Sequence, residues 1–194
     1  MQEFENEKNY QTEEMPRKEI IAFVWETIKI IIVSLVIIIP VRYYIVQPFF
    51  VKGASMESTF ENNDYILIDE ISYLFSEPKR DEVVVFRSPE DTSQFFIKRV
   101  IGLPGETVKI QNNKVIIFNS QNQEGLTLNE SAYLDADQET AGNLTLKLGS
   151  AEYFVLGDNR LQSSDSRRWG TLNRSLITGK VFLRLWPINK INKF

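Results

Sequence analysis

The sequence predicts a mainly β protein, in which an antiparallel β domain follows a single N-terminal transmembrane helix. A long apolar stretch lies close to the N-terminus, between Ile20 and Val46, and has the composition of a membrane segment. After Pro48, short runs of apolar and β-branched residues follow one another at close spacing, separated by turn residues, which is typical of antiparallel sheets. No stretch after Pro48 has the 3.6-residue periodicity of a long amphipathic helix.

The first 46 residues divide into a tail and an anchor. Residues 1–19 are polar, rich in Glu and Asn, and are predicted to form a flexible tail. Residues 20–46 are predicted to form the anchor, because the apolar centre Ile30–Ile39 and its apolar flanks together reach the roughly 20 residues that span a bilayer. A cleavable signal peptide and a buried core helix are the alternatives, but no small-x-small site directly follows the apolar centre. Four Lys and Arg residues precede the centre and only Arg42 and Lys52 follow soon after it, which predicts a cytoplasmic N-terminus with the remaining chain outside.

The predicted strands of the remaining chain fall into two groups. Residues 47–105 and 151–194 are expected to form the main antiparallel β domain, and residues 106–150 a small inserted β-appendage. The appendage begins with a hairpin, since Gln111, Asn112 and Asn113 are turn-forming residues between two apolar runs. The predicted strands are 65–69, 83–86, 94–101, 107–110, 114–118, 153–156 and 181–186.

The composition excludes several classes of chemistry. The chain has 194 residues, 43% of them hydrophobic, so it can bury a core, and its net charge of −4 argues against nucleic-acid binding. It contains no His and no Cys. It therefore cannot use a Ser-His-Asp triad, a thiolate nucleophile or a His-based metal site. A hydrolase built from this chain must take its base from Lys, Asp, Glu or Tyr.

Ser55 is the candidate nucleophile, in the small-residue stretch GASMESTF (53–60), and Lys98 is the candidate base. The run FFIKRVIGL places Lys98 among apolar side chains, where burial disfavours the charged ammonium and lowers the pKa of the lysine. Lowering that pKa from about 10.4 to about 8 costs roughly 3 kcal/mol of stability, which a β core can sustain. The alternatives are an ordinary turn at Ser55 and an exposed edge-strand lysine, which the two-residue alternation of a strand permits.

The stretch GDNRLQSSDSRRWG, residues 157–170, is dense in Asp, Asn, Arg and Ser. Burying such a run is costly unless its members pair with one another. It is therefore either an exposed surface loop or a polar layer that orients a buried lysine, because a neutral amine needs a hydrogen-bonding partner.

Three motifs together resemble those of the type I signal peptidase (leader peptidase) family of membrane-anchored serine/lysine proteases. The family motif SMxPT corresponds to SMEST (55–59), KRVxGLPGD to KRVIGLPGE (98–106), and GDNRxxSxDSR to GDNRLQSSDSR (157–167). They occur in the family's order behind a predicted anchor, and the resemblance covers nearly all of the chain from that anchor onward. It implies a protease that removes signal peptides from exported preproteins after small-x-small sites.

The resemblance implies a role for each matching residue. Ser55 would attack the scissile carbonyl while neutral Lys98 takes its proton, and Ser163 would hydrogen-bond to Lys98 and orient it. The backbone N–H of Ser55 would hold the oxyanion. Ion pairs would hold the geometry of the site; their expected members are Asp158, Asp165, Arg167 and Arg99, with Arg99 paired to Asp158. No metal or organic cofactor is implied.

The sequence also departs from the family pattern. Gly53 stands where some members carry a serine that assists the oxyanion, so this donor is absent here or replaced by backbone. Ser58, Phe60 and Glu106 replace the usual proline, leucine and aspartate. The substrate would add as a β-strand, with main-chain bonds for affinity and shallow pockets for selection. The residues expected to contact it are Phe49, Val51, Gly53, Met56, Phe60, Phe96 and Ile97.

The resulting hypothesis is a monomeric endopeptidase that is anchored in a lipid bilayer with its catalytic domain on the outer side. Its partners would be the signal peptides of preproteins, with no nucleic-acid partner. Two other functions stay open. A self-cleaving serine/lysine regulator of the SOS-repressor type is disfavoured by the anchor and by the lack of a DNA-binding domain. A non-catalytic anchored domain that binds peptides would be excluded by cleavage of a preprotein.

Overall fold

A computed structural model describes residues 16–40, 46–135 and 138–194. The chain divides into two compact units, Met1–Val41 and Arg42–Phe194. Most of the predicted tail, residues 1–15, and part of the predicted anchor, residues 41–45, lie outside the described residues.

The first unit contains one helix, α1, over Arg17–Pro40. It begins three residues before the predicted start of the anchor. Its Arg17–Ile39 stretch has 23 residues and contains an 18-residue window with a mean hydropathy of 2.4, so it is long and apolar enough to cross a membrane by length and composition. Its large apolar side chains are exposed, among them Ile30 and Val36. A hydrocarbon environment would remove this apolar surface from water, so the helix is consistent with membrane anchoring.

The second unit is built from two antiparallel sheets and two short helices, which confirms the predicted fold class. The larger sheet contains β1 (Val46–Phe50), β2 (Tyr65–Asp69), β3 (Val83–Arg87), β4 (Phe95–Gly102), β9 (Glu152–Leu156), β10 (Leu172–Asn173), β11 (Ile177–Trp186) and β12 (Asn192–Lys193). The smaller sheet contains β5 (Thr107–Gln111), β6 (Lys114–Phe118), β7 (Leu126–Thr127) and β8 (Leu144–Lys147). The helices are α2 (Ser72–Phe75) and α3 (Ser166–Trp169).

The strand order of the larger sheet is β1-β2-β11-β3-β4-β9-β10, with β12 paired to β11, and that of the smaller sheet is β7-β6-β5-β8. Each of the seven predicted strands overlaps an observed one. The sequence patterns missed β1, β7, β8, β10 and β12, all of which have five residues or fewer. Strands β7, β8, β10 and β12 have two to four residues, too few for a two-residue alternation to stand out, and the five-residue β1 contains Pro48, which disfavours a strand.

The smaller sheet shares a core with the larger one. Ile101 of β4 and Phe154 of β9 are fully buried in one cluster with Val108 and Ile117 of the smaller sheet. Gly102 belongs to the same junction, since a Cβ there would overlap the Val108 side chain. The inserted segment is therefore packed onto the strands that carry the candidate site.

Strand β4 has one edge that is only partly paired. It pairs with β3 from Phe95 to Arg99, and with β9 only from Arg99 onward. Within the described residues, the stretch Phe95–Lys98 therefore leaves its β9-side edge without a strand partner. This open edge leads to Lys98.

Candidate active site

Ser55 lies in the loop that joins β1 to β2. Gly53 precedes it with φ +87°, in the left-handed region that favours glycine. The Gly53 N–H donates to Asn62 Oδ1 at 2.9 Å, which ties the two arms of the loop together. Beneath the loop, Met56 and Phe60 are fully buried and fix its position on the sheet. The loop therefore holds Ser55 at the surface of a packed core.

Lys98, on β4, brings its amine to the Ser55 hydroxyl. Lys98 Nζ lies 2.8 Å from Ser55 Oγ and also donates to the Ile97 carbonyl at 2.9 Å. The residue is only 4% exposed, and the Phe96 ring lies 5.5 Å from the nitrogen. Lys98 is therefore a buried strand residue, and the exposed edge-strand alternative is wrong.

Burial changes the protonation of this amine. It lowers the pKa of Lys98 to about 8, although the negative charges of Asp165 and Asp158 oppose the shift. A lysine of pKa about 8 is roughly one-tenth neutral at pH 7, compared with a few parts in ten thousand for an ordinary lysine. The amine can thus act as a proton acceptor for a hydroxyl in contact with it.

A buried ion pair joins β4, which carries Lys98, to the polar run after β9. Arg99 donates from Nε and Nη2 to the two carboxylate oxygens of Asp158, at 2.8 and 2.6 Å. Thr59 Oγ1 adds a hydrogen bond of 2.5 Å to the same carboxylate. The Asn159 N–H donates to the Ser55 carbonyl at 3.1 Å. The stretch around Asp158 is therefore joined to the backbone of the candidate nucleophile.

A second ion pair shapes the same stretch. Arg167 donates from Nε and Nη2 to the two carboxylate oxygens of Asp165, at 2.8 and 2.9 Å. Asp165 is fully buried and also accepts from the Gly157 N–H at 3.1 Å. Its carboxylate caps α3 by accepting from the backbone N–H of Arg167. The charged residues Asp158, Asp165 and Arg167 of this run are thus paired, within the run or with Arg99, so the run is a polar layer and not the exposed loop that composition also allowed.

Ser163 does not make the hydrogen bond to Lys98 that the sequence predicted. Its Oγ is buried and has no hydrogen-bond partner among the described residues. It packs against Gly157, where a Cβ would overlap both Ser163 Oγ and the Ser55 carbonyl oxygen. The Lys98 amine is instead engaged by Ser55 and Ile97.

An apolar cavity of about 400 Å³ opens beside the dyad. Four residues predicted to contact the substrate line it: Phe49, Val51, Phe96 and Ile97. The lining residues that the sequence did not predict are Phe50, Lys52, Ile66, Val85, Phe95 and Ser164. Of these, Phe95 had a usable signal, because the two-residue alternation of β4 puts it on the same face as Ile97.

Three predicted substrate contacts do not line this cavity. Gly53 lies in the Ser55 loop but outside the lining. Met56 and Phe60 are core residues, 1% and 0% exposed. The Phe60 N–H donates to the Met56 carbonyl at 2.7 Å, and this turn directs both side chains inward. Phe60 then packs against the Phe194 ring, with centroids 4.5 Å apart.

The described residues contain no group of three or more acidic side chains that could hold a metal ion. The chemistry that the arrangement itself supports is proton transfer from the Ser55 hydroxyl to a buried amine, beside an apolar cavity. This is the chemistry of a serine nucleophile activated by a lysine base.

Comparison with known proteins identifies the family of the chain. The family model described as "Signal peptidase, peptidase S26" matches residues 24–186. "Signal peptidase I" of Leptolyngbya laminosa is 34% identical over 175 residues, covering 87% of this chain and 82% of that protein. "Signal peptidase I P" of Bacillus subtilis subsp. natto is 32% identical over 167 residues, covering 84% and 90%. A crystal structure of a signal peptidase I from Enterococcus faecalis aligns with a TM-score of 0.44 and 30% identity, covering 54% of this chain and 97% of that one. The family match spans most of α1, both candidate catalytic residues and nearly all of the β unit, and this chain therefore belongs to the signal peptidase, peptidase S26 family.

Proposed function

We propose that this signal peptidase cleaves preproteins after small-x-small sites, with Ser55 as its nucleophile and Lys98 as its general base. The observation that carries the proposal is the 2.8 Å contact between Lys98 Nζ and Ser55 Oγ at a lysine only 4% exposed. A buried lysine with its amine on a serine hydroxyl meets both requirements for a base, which are reach and a lowered pKa.

In the proposed reaction, Ser55 Oγ attacks the scissile carbonyl carbon while its proton passes to neutral Lys98 Nζ. The carbonyl π electrons move onto the oxygen, and the Ser55 N–H donates to this oxyanion. Lys98 then gives its proton to the departing amine of the mature protein, which leaves an acyl-enzyme on Ser55. A water molecule deprotonated by Lys98 attacks the ester carbon. Lys98 then returns the proton to Ser55 Oγ as the ester bond breaks, which releases the signal peptide and restores the enzyme.

The open edge of β4 and the adjoining cavity support recognition of an extended peptide. A substrate strand along Phe95–Lys98 would bond to main-chain groups that lack a strand partner among the described residues. Side chains two positions apart in a strand point to the same side, about 6.8 Å apart, so the residues one and three before the cut would both face the cavity. The apolar walls of the cavity favour uncharged side chains there.

A cleavage assay tests this proposal. The purified full-length chain in detergent is given a preprotein with an Ala-x-Ala site, and the products are identified by mass. Ser55→Ala and Lys98→Met are each expected to abolish cleavage with the fold retained, because no other described lysine contacts Ser55. Lys147→Met, at an exposed lysine on β8, is the matched control. Near-normal cleavage by either dyad variant would refute the mechanism, and no cleavage by the wild type would favour a peptide-binding domain.

We further propose a monomer with α1 across a lipid bilayer, the N-terminus in the cytoplasm and the β unit outside. The apolar length of Arg17–Ile39 supports the anchor. Four Lys and Arg residues before the apolar centre, against only Arg42 and Lys52 soon after it, support the orientation. Protease added outside sealed right-side-out vesicles should digest the β unit, and full protection of that unit would reverse the orientation.

A further inference from the structure

The inserted segment contacts the polar layer of the candidate site. Arg160, in this layer, has a fully buried side chain, and its Nη2 pairs with Glu130 at 2.6 Å. Its Nη1 also donates to Thr140, and its backbone N–H donates to Gln138 Oε1 at 3.1 Å. All three partners belong to residues 130–140, between β7 and β8. A buried guanidinium needs such partners, so this segment determines where Arg160 lies.

The same segment also contacts the ion pair between Arg99 and Asp158. The Tyr133 ring lies 4.1 Å from the Arg99 guanidinium carbon, a cation–π distance. The Arg99 donors Nε and Nη2 point to Asp158, so the ring stacks on a guanidinium that is already bound through its edge. Tyr133 OH also donates to Glu130 Oε1 at 3.2 Å, which joins the two contacts of the segment into one unit.

The polar layer is hydrogen-bonded to the backbone of Ser55 through Asn159, and the contacts of Glu130 and Tyr133 act on the residues on either side of Asn159. Asp158 and Arg160 are the neighbours of Asn159, and the Asn159 N–H donates to the Ser55 carbonyl. Arg160 Nε closes the turn by donating to the Gly157 carbonyl at 3.0 Å. A shift of Asp158 or Arg160 would therefore move the group that holds Ser55.

We propose that Glu130 and Tyr133 are positioning residues of the active site. Glu130 holds Arg160 and Tyr133 holds Arg99, and these two arginines in turn fix the position of Ser55 relative to Lys98. This inference rests on the proposed function of Ser55 and Lys98. The inserted segment is then part of the catalytic unit. Because neither Glu130 nor Tyr133 lines the cavity, replacing them should slow the chemical step and leave substrate binding unchanged. Small displacements of a reacting group are costly, since about 1 Å of misplacement can lower a rate about a hundredfold.

The test compares kcat, KM and the thermal unfolding midpoint of full-length variants in detergent, with a peptide that contains an Ala-x-Ala site. Tyr133→Leu and Glu130→Gln should each lower kcat about tenfold with KM nearly unchanged. Tyr133→Phe keeps the ring on Arg99 and should rescue most of the loss. Leu126→Ala, at an exposed position on β7 of the same sheet, is the control and should match the wild type.

Each outcome decides the inference. Lower kcat in Tyr133→Leu with rescue by Tyr133→Phe supports positioning. Unchanged kcat in both Tyr133→Leu and Glu130→Gln, even with a lower unfolding midpoint, overturns it, because a structural role alone would affect only stability. If Tyr133→Leu does not fold, Glu130→Gln decides by the same criterion. Failure of the proposed function is separate, since it would show as cleavage by Ser55→Ala or as no cleavage by the wild type.

Discussion

Burying the amine of Lys98 should cost the folded enzyme stability, by an amount that depends on pH. The folded-state pKa is about 8, against 10.5 for an ordinary lysine. Between these values the unfolded chain binds more protons than the folded one, so the stability of the wild type rises with pH across this window. Below pH 8 the cost of burying the amine is fully present, and above 10.5 it is gone.

The magnitude follows from the difference in pKa. Linkage gives a cost of about 3 kcal/mol at pH 7 and about 1 kcal/mol at pH 10. Lys98→Met removes this cost but also loses the hydrogen bonds to Ser55 Oγ and the Ile97 carbonyl, about 1 kcal/mol each. The variant should therefore be about 1 kcal/mol more stable than the wild type at pH 7 and about 1 kcal/mol less stable at pH 10.

Urea unfolding followed by tryptophan fluorescence measures this difference in the full-length chain in detergent. Trp169 is a suitable reporter because it packs against Phe86 in the core of the β unit. Lys147→Met, at an exposed lysine, is the control and should follow the pH dependence of the wild type. If the gap between Lys98→Met and the wild type is the same at pH 7 and pH 10, the pKa of Lys98 is not lowered and the reasoning fails.

Three further predictions concern activity. The kcat/KM should rise toward alkaline pH with an acidic limb near pH 8, because only neutral Lys98 accepts the proton of Ser55; a flat profile from about pH 6 to pH 9 would argue against lysine as base. Gly157→Ala should lower kcat/KM about a hundredfold, because the added Cβ overlaps the Ser55 carbonyl oxygen; wild-type rates would show that the contact can relax. Asp158→Asn should cost about 3 kcal/mol in urea unfolding, because it leaves Arg99 without its charged partner. Because the Asp158 charge raises the pKa of Lys98, the same variant should move the acidic limb to lower pH, and a limb that moves upward would contradict this account.

The fold class could be predicted because its signals are local. An apolar stretch of membrane length and a series of short β runs are visible in consecutive residues, and the structure has both. The predicted strands at 107–110 and 114–118 correspond to β5 and β6, because each carries enough apolar residues to show its own alternation. The two-residue strand β7 had no such signal and forms only against β6.

Among the site residues, Ser55 and Lys98 could be selected from the sequence for chemical reasons. A chain without His or Cys has few possible bases, and a lysine in an apolar strand is one that burial can activate. The absence of His and Cys, the order of the motifs and the apolar surroundings of Lys98 were thus determined by the sequence alone.

The tertiary structure decided which side chains meet. Ser55 and Lys98 are 43 residues apart, and their contact depends on the packing of the loop after β1 against β4. The inward direction of Met56 and Phe60 has the same origin, as does the contact of Tyr133 with Arg99. So does the position of the Ser163 hydroxyl, which has no hydrogen-bond partner in the part of the chain that the structure describes. In loops no backbone period dictates the direction of a side chain, so its direction follows from contacts with residues distant in sequence, which only the folded chain brings together.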